Sequence, residues 1–373
     1  MPGIVAEALA GRARNALFRV LAGLAAAACL PGCYVMQAAA GQADVLARSE
    51  PIAKLVEEPG TPDALRARLA LVVEAREFAV RELGLPEGRS FRNYADLGRP
   101  YAVWNVVAAP EFSVTPLSWC YPVAGCVAYR GYFDERRAEA NARRLARRGD
   151  DVTVGGVATY STLGHLPDPV FNTMLGWRET RLVGTIFHEL AHERLYVPGD
   201  TGFNEAFASV VEQEGVRLWL QARGRDGEFE AYRTTLAREA EFARLLRATR
   251  ERLRRLYASG TPEPQLWADK QREFGQLKFE YTLMRDRWGG HAGYDAWFAR
   301  PLNNAHLAAV ATYHDCVPGL RREFEAAGSL LAFYARAQEL ALLPYAERRA
   351  AVCEPDPATV GGRRSAPVSS RST

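Results

Sequence analysis

The pattern of apolar and polar positions divides the chain into two unlike halves. From Glu179 to Leu195 the residues Leu182, Val183, Ile186, Phe187, Leu190 and Ala191 recur at intervals of three and four, which predicts an amphipathic helix. Pro198-Gly199 ends it, and the same period resumes in a second helix over about 203–222. Charged helices are expected over about 227–258 and 263–288, and shorter ones near 302–313 and 328–338. In the first half, residues 34–60 read as a small-residue helix and then loop. Thr61 as cap and Pro62 in the first turn open a helix that carries Leu65, Leu69, Val72, Val73, Phe78 and Val80 and stops at Gly84. Aromatic and β-branched runs predict strands at 101–108 and 112–115, with extended chain again at 126–133 and 151–162. An Arg-rich helix over 134–148 lies between the last two. The expected class is therefore α+β, a small mixed sheet in the N-terminal half followed by a mostly helical C-terminal half. No repeat or linker divides it, so one domain over 33–355 is expected. Residues 356–373 are nearly devoid of apolar side chains and are expected to be disordered.

Composition adds limits. Of the 373 residues 48% are hydrophobic, enough for a sizeable core, and 47 Lys+Arg against 44 Asp+Glu give no reason to expect a nucleic-acid partner. The arginines at 136, 137, 143, 144, 147 and 148 sit at helical spacing and read as a solvated face. The N-terminus is more informative. Arg12, Arg14 and Arg19 precede an apolar run of 11 residues, Val20–Leu30, which has signal-peptide design and is short for a membrane span. It ends in Leu30-Pro31-Gly32-Cys33, which resembles a bacterial lipobox and makes 1–32 a lipoprotein signal and Cys33 the lipidated residue. The expected location is the bacterial cell envelope, lipid-anchored and facing the periplasm. In that oxidising compartment Cys120, Cys126, Cys316 and Cys353 become disulfide candidates. Cys120 and Cys126 flank a segment able to turn back on itself, so that pair is favoured; free thiols are the alternative.

The chemistry concentrates in His188-Glu189-Leu190-Ala191-His192. Histidines four apart on a helix face one way, as two imidazoles must to grip one metal ion. Glu189 is offset by one position and can serve as base to a metal-activated water without occupying a ligand position. The third ligand expected is Glu205, in Asn204-Glu205-Ala206-Phe207-Ala208 at the start of the next helix, 13 residues after His192. One Zn²⁺ is the expected cofactor. Tyr313 and His314, with His306 behind them, are candidates for the oxyanion donor that amide hydrolysis needs. Tyr129, Arg130 and Tyr132 are candidates for shaping the cleft.

The constellation resembles the gluzincin metallopeptidases, in which His-Glu-x-x-His is followed by Asn-Glu-x-x-Ser or a close variant. The spacing here is shorter than in the thermolysin-like and large aminopeptidase groups. Ser209 stands where thermolysin-like enzymes carry an aspartate that orients a ligand histidine, which leaves Asp200 or Glu212 for that task. A wider resemblance rests on residues 32–42, 124–133, 159–164, 185–193 and 302–307, the last reading Leu-Asn-Asn-Ala-His-Leu. These stretches look like the predicted-aminopeptidase family of proteobacterial lipoproteins. That resemblance implies a zincin-like fold, a lipid anchor, membrane association and a peptide substrate. Two rival classes are a non-catalytic envelope adaptor on the same scaffold and a zinc amidase acting on cell-wall material.

Overall fold

The computed structural model describes residues 34–121, 125–162, 165–309 and 316–353. The signal segment, Cys33, Tyr313, His314 and the tail 356–373 lie outside the described residues.

The N-terminal half is α+β, but its strands form separate small sheets instead of one. Helix α1 (34–47) leads into β1 (Ser49–Pro51), α2 (Ile52–Glu57) and α3 (Asp63–Arg81). Strands β2 (Asn93–Ala95) and β3 (Val103–Pro110) follow, then β4 (Trp119–Tyr121), β5 (Gly125–Val127), β6 (Arg130–Tyr132), α4 (Glu135–Ala146), β7 (Asp150–Val157) and β8 (Val170–Phe171). One sheet has the order β1-β2-β8, with β2 and β8 parallel. A second, antiparallel throughout, has the order β6-β3-β7. β4 and β5 pair antiparallel, with the Cys120–Cys126 disulfide across the middle of the pair.

Two expectations from the first half are corrected. Residues 112–115 are not a strand: Ser113 N donates to Pro110 O and Thr115 N to the Ser113 hydroxyl, so the chain turns between Pro110 and Pro116. The cap of α3 is Pro62 instead of Thr61.

Each face of the β6-β3-β7 sheet is covered, because side chains alternate sides along a strand. Trp104, Val106, Ala108 and Tyr132 pack on Ala138 and Leu145 of α4. On the other face Val107 meets Ala305 and Ala308 of α11 (Asn304–Ala308). The pair Asn303-Asn304 docks α11 there. Asn303 caps it and donates to Val152 O, and Asn304 Nδ2 donates to Glu111 O at 2.8 Å.

The helical half continues with α5 (Asn172–Leu175), α6 (Glu179–Arg194), α7 (Thr201–Gln221), α8 (Gly227–Tyr257), α9 (Glu263–Arg287) and α10 (Asp295–Phe298). After α11 come α12 (Val317–Ala327), α13 (Leu330–Ala341) and α14 (Tyr345–Val352). The main core joins α3, α6 and α7 with α12 to α14, and a second core lies between α8, α9 and α10. α12 and α14 are absent from the periodicity reading. Pro318-Gly319 disguises the first as a break, although proline is well placed in a first helical turn. A second disulfide, Cys316–Cys353, ties the start of α12 to the end of α14.

Candidate metal centre

α6 and α7 are neighbours joined by a tight connection, and their sequence fixes that connection. Asn204, which is 1% exposed, receives a bond from Val197 N and donates to Val197 O, both at 2.8 Å. Asp200 caps α7 by accepting from Phe203 N and forms a buried ion pair with Arg348 of α14 at 2.7 Å. At the far ends, Glu179 in the first turn of α6 accepts from Trp219 Nε1 and Arg225, near the end of α7 and just beyond it. The two helices are thus pinned at both ends, with His188, His192 and Glu205 between the pins.

These three side chains converge. Glu205 Oε2 lies 3.3 Å from His188 Nε2, and Glu205 Oε1 lies 3.7 Å from His192 Nε2. One donor atom from each falls within 4.8 Å of the others, so the group could hold a single metal ion. His188 is oriented from behind: its Nδ1 donates to Glu212 Oε2 at 3.0 Å, and Tyr232 Oη donates to Glu212 Oε1 at 3.0 Å. Of the two candidates for that role, Glu212 fills it and Asp200 is committed to Arg348. Gly184, one turn before His188, makes room for it, since a Cβ there would stand 3.0 Å from Glu212 Oε1. A legible signal existed: Glu205 and Glu212 are seven apart, two turns along one helix face.

The electrostatics call for a cation. Burial opposes charge on His188, yet the hydrogen bonds to Glu205 and Glu212 outweigh it and raise its pKa to about 10. Burial, then repulsion from His188, pushes His192 down to about 4, so its imidazole is neutral, whereas His188 would have to give up its proton to bind a metal. The buried His192 Nδ1 has no hydrogen-bond partner among the described residues. Burial raises the Glu189 carboxyl, and the nearby charges of Glu205 and Asp168 act the same way; His188 and a hydrogen bond from Ser161 pull it down.

Of the cleft candidates only Tyr129 faces this cluster. Burial, then the charges of Glu205 and Tyr196, raise its phenol. Arg130 instead stacks over Tyr34, and Tyr132 packs in the core beneath the sheet. His306 is not brought to the cluster: Nε2 bonds Thr153 Oγ1 at 3.1 Å, and Nδ1 sits at the cap of α11.

A family model described as "Putative aminopeptidase" matches residues 33–352. The chain belongs to that family. No curated protein and no solved structure matches the chain. The family's description points to a peptidase, with peptide as the substrate class, and the matched stretch contains every residue of the cluster.

Proposed function

We propose that this chain is a zinc-dependent peptide hydrolase of the aminopeptidase type on a zincin-like fold, anchored in the bacterial envelope by lipid on Cys33. The observation that carries the reading is the convergence of His188, His192 and Glu205 with a half-buried glutamate, Glu189, next to the first of them. The donor set fits zinc. Two imidazole nitrogens and a carboxylate oxygen are donors that zinc takes, and one donor atom from each residue lies within 4.8 Å of the others. Zinc held by these three would supply Lewis-acid polarisation of the scissile carbonyl and of the attacking water.

The remaining work belongs to the chain. Glu189 takes a proton from the water as its oxygen bonds to the carbonyl carbon, then delivers that proton to the amine as the C–N bond breaks. Burial favours the protonated intermediate state of this carboxyl, which suits a group that must both accept and return a proton. Ser161 orients Glu189, and the Tyr232–Glu212 pair keeps His188 Nε2 turned toward Glu205.

The test is Glu189→Gln, which keeps shape and removes the base. Zinc stoichiometry should remain one per chain while peptide cleavage falls by about 10²–10⁴-fold, the usual worth of a positioned acid–base group. Retained cleavage would refute the mechanism.

A further inference from the structure

A cavity of about 330 Å³ opens over the face of the β6-β3-β7 sheet that carries α11. Its floor is unusual. Asn105 of β3 is flanked in register by Gly131 of β6 and Gly155 of β7, so the sheet presents one amide between two positions without side chains. A Cβ on Gly155 would meet nothing within 4 Å. The Asn105 Oδ1 is buried and has no hydrogen-bond partner among the described residues. The other end of the amide, Nδ2, is a donor.

The walls say what would fill the space. Val107, Val157, Trp297 and Ala308 are apolar. His306 is locked by Thr153, and burial, then the charge of Arg300, lowers its pKa to about 4, so it is uncharged at neutral pH. Among the described residues no acidic side chain lines the cavity, and its charged side chain is Arg300, an exposed guanidinium with no ion-pair partner among them. Tyr129 lines this cavity, and the charge of Glu205 also acts on its phenol. β7 contributes Gly155 and Val157 to the cavity and then runs on to Ser161, which bonds Glu189.

We propose that this cavity is the specificity subsite of the peptidase, and that it takes a substrate residue with an acidic side chain. The methylenes of that side chain lie against the apolar walls, its carboxylate pairs with Arg300, and the Asn105 amide supplies a hydrogen bond from the floor. The inference rests on the peptidase reading given above.

The experiment is steady-state kinetics of the zinc-loaded full chain on matched free-N-terminus peptides. The residue on either side of the scissile bond is Glu, Gln, Leu, Phe, Lys or Ala. The parent should show its highest kcat/KM with Glu at one of these positions. Arg300→Met should lower the Glu-to-Gln ratio about 5-fold, the upper range for an exposed ion pair. Gly155→Val should fill the floor, since valine suits a strand and the space is open, and should raise KM for Glu at least 10-fold relative to Ala. Gly155→Ala should give a smaller shift in the same direction, and zinc content with a thermal melt shows that each variant is folded. A preference for Phe, Leu or Lys, or unchanged ratios in both Arg300→Met and Gly155→Val, overturns the subsite while leaving the peptidase standing. Absence of cleavage of every peptide by the zinc-loaded parent removes the peptidase reading, and this subsite with it.

Discussion

Replacing Arg348 by Met removes one half of an ion pair whose side chains are only 6% and 2% exposed. Asp200 is then left charged in the interior, with the Phe203 amide as its remaining hydrogen-bond donor. Breaking a buried pair from one side costs about 3–5 kcal/mol, mostly the penalty of the stranded charge. The guanidinium also donates to Ala341 O and Leu343 O at 3.0 and 2.7 Å, and those carbonyls lose their donor too. A net loss near 4 kcal/mol lowers the folding constant about 1,000-fold, at roughly 1.4 kcal/mol per factor of ten. Urea unfolding of the metal-free chain, followed by tryptophan fluorescence, should show it as a lower midpoint. Because Asp200 caps the helix that carries Glu205, zinc affinity should weaken as well. Asp200→Asn with Arg348→Met leaves no buried charge, so the double variant should recover much of the loss. A cost below about 1 kcal/mol for Arg348→Met, or a double variant no better than the sum of the two singles, would refute this account of how α14 supports the site.

Three further outcomes follow from the geometry. Glu212→Ala should weaken zinc binding about 10–100-fold, the usual effect of removing a group that orients a ligand histidine, as read by chelator competition; unchanged affinity would exclude Glu212 from that task. His306, taken down to about 4 by burial and then by Arg300, with Asp151 opposing, binds its proton more weakly folded than unfolded, where the reference value is 6.5. Its contribution is therefore complete above pH 6.5 and lost as pH falls toward 4, by roughly 3 kcal/mol at about 1.4 kcal/mol per unit. His306→Gln should flatten the stability profile across that window, and an unchanged acid slope would show that other groups set it. Cys316 and Cys353 are 37 residues apart, and opening a loop of that length costs about 4 kcal/mol in the chain-entropy picture. Cys316→Ser with Cys353→Ser should lower the urea midpoint accordingly, and a shift below about 1 kcal/mol would count against the closure.

The helix pair at the centre was readable because its information is local. The three-and-four period of Leu182 to Ala191, the break at Pro198-Gly199 and the turn-compatible spacing to Glu205 all lie within one stretch of chain, and the structure keeps them together. Glu212 was equally legible once Glu205 was assigned to the same face. The sheets were not. β1, β2 and β8 are two or three residues long, and their partners lie tens of residues away. Pairing of that kind leaves almost no period to detect. Tyr129 was named for the cleft together with Arg130 and Tyr132, and nothing local sets it apart from them: it sits on a bend after β5, and the charge of Glu205 acts on it only through the tertiary fold. The Asn303-Asn304 pair shows the converse. It stands in a stretch quoted only for its resemblance, and it serves to dock α11 onto β7 and the turn beyond β3.

The way α1 meets the sheet bears on where such an enzyme could work. Tyr34 follows Cys33 in sequence, and the turn of α1 that holds it is already committed: Gly131 N donates to Tyr34 Oη, and Gln37 Nε2 donates to Gly131 O. Gln37 Oε1 accepts from Phe133 N as well. A lipid on Cys33 would then have no slack. A flexible leash of twenty residues would let a domain roam about 25 Å from its anchor, whereas a lipid on Cys33 would sit one residue from Tyr34, which is fastened to Gly131 of β6, two residues from Tyr129. The catalytic cleft would ride at a fixed height above the bilayer, and its prey would be peptides delivered to that thin layer of solvent.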